Sequence, residues 1–133
     1  MTRGLRNNNP CNIRNSDECW QGEVRPSRDS SFKQFSTMAY GYRAAFKLLY
    51  NYQHLRGCKR LSDFITRFAP PSENNTRAYI STVANRSGVS DVATVDTKNR
   101  EQMCKIVSAM SYVENGVPAN EQDVMEGWKL FIG

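Results

Sequence analysis

Glu73 stands in a distinctive setting: it follows Phe68 and the rigid Pro70-Pro71 step and precedes Asn74-Asn75-Thr76. A glycosidase needs a carboxylic acid held protonated beside the scissile oxygen, and apolar neighbours achieve this by disfavouring the charged form. A plainer role stays open on residue type alone. With Ser72 as cap, Glu73 falls in the first turn of a helix, where an acid favours the dipole and closes a capping arrangement. Asp29 is the second acid in an unusual context, set among Arg25, Arg28, Ser30 and Ser31 just before Phe32 and Phe35. Asp63, Asp96, Glu101 and Glu126 lie where solvent or a helix cap accounts for them.

The string from Arg3 to Ile13 packs Asn7, Asn8, Asn9 and Asn12 with two arginines around Gly4 and Pro10. Such amides bond N-acetyl groups and sugar hydroxyls, and equally satisfy their own turn backbone. Other chemistries lack their residues. His54 is the single histidine and sits at a predicted helix end, so no Ser-His or Cys-His arrangement is supported. Cys11, Cys19, Cys58 and Cys104 form no C-x-x-C pair, so no metal site is expected. Phosphate-cradling and dinucleotide glycine motifs are missing, and no cofactor is implied. Two disulfides are permitted by parity, but free, largely buried thiols suit a domain made in a cytoplasm.

Five helices are needed to carry these residues. Ser36-Thr37 offer caps for a helix through Arg56, with Tyr42, Ala45, Phe46, Leu48 and Leu49 at helical spacing and Gly57 beyond its end. Ser62 caps a second, carrying Leu61, Phe64, Ile65 and Phe68 and stopped by Pro70-Pro71. Ser72 caps a third with Tyr79, Ile80, Val83 and Ala84 before Gly88. Asp96 or Thr97 opens a fourth with Met103, Ile106, Val107 and Met110, and Asn120 a last with Val124, Met125, Trp128 and Phe131. Residues 1–36 read as loops with short strands, in which Ile13, Trp20, Val24, Phe32 and Phe35 are apolar anchors. The expectation is one α+β, mainly α domain over residues 1–133, with 1–36 irregular and 37–133 helical.

The 133 residues carry a formal charge of +5, are 39% hydrophobic and 23% charged. A chain this long buries one core, and a basic surface attracts polyanions such as nucleic acid, anionic lipid or bacterial wall. The basic residues are scattered from Arg3 to Lys129, which argues against a nucleic-acid tail. No run of about 20 apolar residues spans a membrane, and the amino terminus lacks the apolar stretch of a secretory signal. The protein is therefore expected to be made in a host cytoplasm and carried to its place of action.

Several blocks occur in order: R-G-L-R-N-N-N-P-C-N-I-R from Arg3, W-Q-G from Trp20, D-S-S-F-K-Q-F from Asp29, Y-G-Y-R-A from Tyr40 and A-P-P-S-E-N-N-T from Ala69. Together they resemble a family of small phage and prophage virion-associated proteins, from Arg3 to about Val89. This chain has Cys11 where that pattern usually has glycine. The layout is also distantly similar to lysozyme-like glucosaminidases, in which an Asn-rich turn precedes an aromatic-rich segment and a helix like Tyr40 to Tyr52. Those enzymes carry their catalytic glutamate before the Asn-rich turn, whereas the first acid here is Asp17.

The resemblance implies a lysozyme-like fold and a peptidoglycan substrate, cut by a muramidase or lytic transglycosylase in the virion or at the cell wall. It makes Glu73 the general acid and Asp29 the second carboxylate. Asn8, Asn9, Asn12, Trp20, Arg43, Asn74, Thr76 and Tyr79 become the residues expected to line or support the saccharide cleft. The alternative it carries is a non-enzymatic virion or wall-binding component that contacts other virion proteins.

Overall fold

The computed structural model describes all 133 residues. It is α+β and mainly α: α1 (Arg3–Arg6), β1 (Glu23–Val24), β2 (Gln34–Phe35), α2 (Met38–Arg56), α3 (Leu61–Phe68), α4 (Thr76–Ser87), α5 (Arg100–Asn115) and α6 (Glu121–Ile132). The strands form one antiparallel pair, Glu23 opposite Phe35 and Val24 opposite Gln34. No helix is long and apolar enough to cross a membrane.

The four long helices α2, α4, α5 and α6 begin as local chemistry dictates. Thr37, Asn75, Asn99 and Asn120 each accept, through the side chain, a backbone N–H of the first turn. Gly57, Gly88 and Gly116 end α2, α4 and α5 in the left-handed conformation that closes a helix without a Cβ clash. Three expected starts move. The second predicted helix begins at Leu61 with Arg60 as its cap and Asp63 accepting from the Arg60 N–H, so Ser62 lies inside it rather than capping it. The third predicted helix begins at Thr76 rather than after Ser72, because Asn75 caps it; Ser72 and Glu73 lie in the turn before it. The fourth begins at Arg100, since Asp96 caps its own turn by accepting from Lys98 N–H at 3.0 Å while Thr97 is buried against Gln53. The four-residue α1, begun by Thr2, lies inside a segment read as loop.

All the long helices share one core. Phe46 of α2 meets Trp128 edge-on at 5.1 Å and stacks on Phe131 at 6.0 Å, while Ile65, Val83, Met103 and Ile106 bring in α3, α4 and α5. A smaller cluster of Ile13, Trp20, Phe35 and Ala44 fastens the N-terminal segment to α2. Close approach there depends on glycine. A Cβ at Gly41 would fall 2.0 Å from the Asn8 carbonyl oxygen, and one at Gly127 would fall 2.5 Å from Tyr42 Cβ.

Candidate functional site

The N-terminal segment owes its shape to buried polar groups rather than to a sheet. Asn9 is fully buried: its Nδ2 donates to the carbonyls of Ile13 and Lys33 at 3.0 and 2.9 Å, and its Oδ1 accepts from Ile13 N–H at 2.9 Å. Asn8, at φ 52°, donates from Nδ2 to the Phe35 carbonyl at 3.1 Å. Asn115 of α5 donates to the Pro10 carbonyl at 2.8 Å and accepts from the Thr2 hydroxyl at 2.7 Å. Lys33, 1% exposed, donates to the Glu18 carbonyl at 2.8 Å and to Glu23 at 3.0 Å. Burial alone would push the Glu23 carboxyl up, but the N–H of Trp20 together with Lys33 and Arg25 outweighs it and holds the group below its ordinary value.

This braced segment forms one side of a cleft of about 410 Å³. Asn12, Arg14, Glu18, Trp20 and Phe32 come from the segment, Tyr52 from α2, Phe68 from α3, Glu73 and Asn74 from the α3–α4 turn, and Glu114 from α5. Four of the sequence-derived candidates, Glu73, Asn12, Trp20 and Asn74, therefore share one cavity. Trp20 is buried there with an indole N–H that has no partner within the protein. Glu73 Oε1 lies 4.0 Å from Arg14 Nη2, and both side chains are more than half exposed, Glu73 at 57%. The apolar cover expected for Glu73 is missing: the turn that follows Pro70-Pro71 aims it outward instead of against Phe68.

Asp29 does not join them. Arg3 donates to both of its oxygens at 2.6 and 2.8 Å, Asn7 Nδ2 adds a third bond at 3.1 Å, and the N–H groups of Ser31 and Phe32 add two more at 2.9 and 3.2 Å. The Arg3 guanidinium first, then the Ser31 N–H, hold this carboxyl well below the usual range. It is a brace with both oxygens bonded, and it does not line the cleft.

The other candidates have structural duties. Asn8 and Asn9 face backbone groups, and the Thr76 hydroxyl donates to the Ala69 carbonyl at the start of α4. Arg43 lies on α2 away from the cleft, partly buried, with desolvation lowering its affinity for a proton. Tyr79 is buried behind the cleft, where its hydroxyl donates to Glu114 Oε2 at 2.9 Å. All four cysteines are free; Cys11 and Cys58 are buried, and Cys19 is exposed.

Glu114 is the residue the sequence reading missed. Its signal is present in the pattern: Met103, Ile106, Val107 and Met110 form the buried stripe of α5, and Glu114 occupies the next helical step. A carboxylate on an apolar stripe is the informative exception.

A groove of similar size, about 380 Å³, separates α5 from α6, with Cys104, Ala109, Pro118, Val124 and Met125 in its lining. It gathers none of the candidates.

Fold and cleft together define a small, mainly helical α+β protein with a carboxylate- and amide-lined groove. No family model matches the chain. It is similar to Protein P5 of Pseudoalteromonas phage PM2, with 35% identity over 131 residues that cover 96% of this chain and 80% of that protein. The chain belongs to the family of that phage protein.

Proposed function

We propose that this phage protein processes the glycan strands of peptidoglycan in the cleft between its N-terminal segment and the α3–α4 turn, with Glu73 as general acid. The observation that carries the reading is the meeting of Glu73 with Asn12, Trp20 and Asn74 in one cavity. They come from two segments more than fifty residues apart in the chain. Saccharides are recognised by this mixture of aromatic surface, amides and carboxylates, each amide serving as both donor and acceptor. Glu73 is exposed in the free protein, so the bound sugar must supply the apolar cover that keeps an acid protonated. Its position on a short turn lets it reach over a strand lying in the groove. The basic surface, at +5, attracts the anionic wall.

The experiment is turbidity loss with mass spectrometry of soluble fragments, run on purified peptidoglycan with wild type and a folded Glu73→Gln variant. Wild type is expected to release fragments and the variant to lose at least a hundredfold in rate, the scale of removing an acid catalyst. Fragment masses separate hydrolysed from anhydro ends.

A second reading, a virion component without enzymatic activity, is favoured by the Arg14–Glu73 approach at 4.0 Å, which ties the N-terminal segment to the α3–α4 turn. Intact sacculi after prolonged incubation with wild type would select it.

A further inference from the structure

We infer that Glu114 is the second carboxylate of this site, stabilising positive charge at the sugar carbon where the glycosidic bond breaks, with Tyr79 and Asn12 as the residues that position it. The inference rests on the glycan-processing reading above and replaces the role that Asp29 cannot fill.

Two elements reach this carboxylate of α5. Asn12 Nδ2 donates to Oε1 at 2.7 Å from the N-terminal turn, and the Tyr79 hydroxyl donates to Oε2 at 2.9 Å from α4. Each oxygen thus has a fixed donor and keeps a second acceptor position. Asn12 makes its bond from the left-handed region, φ 51°, which asparagine adopts more readily than other non-glycine residues.

The absence of a cation is the decisive feature. Asp29 is paired with Arg3, Glu23 with Lys33 and Arg25, and Glu73 approaches Arg14. Glu114 lies within salt-bridge distance of no lysine or arginine, although it is partly buried and its two donors are neutral. A carboxylate solvated only by neutral dipoles in a restricted cavity projects its charge into that cavity. Burial first, and then the nearby Glu114 charge, push the Tyr79 hydroxyl and the Cys11 thiol up. Tyr79 therefore stays a phenol that donates.

The step balances with water as co-reactant. The bond between the anomeric carbon and the leaving oxygen breaks, its electron pair departs with the oxygen, and the oxygen takes the Glu73 proton. Positive charge on the anomeric carbon and ring oxygen faces the Glu114 carboxylate. Water then adds its oxygen to that carbon and returns a proton to Glu73. One glycosidic bond and one water become two hydroxyl ends.

Calorimetric titration of the full chain with two size-matched probes tests this without relying on turnover: neutral N-acetylglucosamine, and a cationic iminosugar of the N-acetylhexosamine series. Wild type is expected to bind the cationic probe at least tenfold tighter than its neutral counterpart. Glu114→Gln should reduce that preference below threefold, the ratio of the two affinities cancelling any change common to both probes. Tyr79→Phe, which keeps the charge but releases its orientation, should give an intermediate preference, as should Glu114→Asp if the glutamine variant fails to fold. An undiminished preference in Glu114→Gln, or one that vanishes only in Glu73→Gln, overturns the inference and leaves the glycan cleft standing. Tyr79→Phe behaving as wild type removes the positioning role. Wild type that binds neither probe overturns the cleft reading and this inference together.

Discussion

An asparagine beside a turn serves either a ligand or the turn itself, and composition does not distinguish the two. In this protein burial decides. Asn7, Asn8 and Asn9 serve the backbone and Asp29, and Asn12 alone among the four reaches the cleft. Asp29 has the same lesson for acids. An isolated carboxylate flanked by arginines looks available in sequence, yet the adjacent Arg25 and Arg28 are not its partners; Arg3, twenty-six positions away, is. Because its folded value is depressed, Asp29 contributes stability that is full above its unfolded value, near 4. That contribution is lost as pH falls toward the folded value. Thermal melts between pH 6 and pH 2 should show Tm dropping progressively below about pH 4, and Asp29→Asn should lower Tm at pH 6 and flatten that acid decline. An unchanged slope in the variant would mean other carboxylates carry the effect. Glu114 was legible in principle, as an acid on an apolar stripe, and its donors were not, because a pairing between positions 12 and 114 leaves no local trace.

Helices whose apolar positions recur every three or four residues were readable as helices, and α2, α3 and α6 begin within two residues of expectation. The starts of α4 and α5 were not, since serine, threonine, aspartate and asparagine compete as caps and only the tertiary position of the preceding turn selects among them. Asn75→Ala tests the selection: loss of the cap to Ala78 N–H should cost about 1 kcal/mol, read from urea unfolding. The α2–α6 contact depends on a glycine that composition could not reveal. Gly127 sits against Tyr42 Cβ, the Ala39 carbonyl and the Arg43 nitrogen. Gly127→Ala should therefore destabilise by about 1–3 kcal/mol despite the higher helix propensity of alanine. A neutral or stabilising result would show that the two helices separate without loss.

At the scale of the whole molecule the thiols report on packing. Cys11 and Cys58 are buried and burial raises both, Cys104 is half-buried and also raised, and Cys19 is exposed. Reaction of native protein with a thiol reagent at pH 8 should show one fast group, removed by Cys19→Ser, a slower one at half-buried Cys104, and two that appear only as the chain opens. A second fast group removed by Cys11→Ser would mean that the N-terminal segment lifts away from the core. The fold class was visible from the sequence because five periodic stretches require a shared core. The cleft was not, because it is made by an irregular segment whose course depends on contacts with the far end of the chain.

Those contacts also set when the molecule can become competent during its own synthesis. Thr2 and Pro10 are held by Asn115, and Asn12 by Glu114. A nascent chain that has not yet reached the end of α5 has neither the anchor for its amino terminus nor one of the carboxylates of its groove. The cleft therefore takes shape only once α5 has folded against the amino terminus.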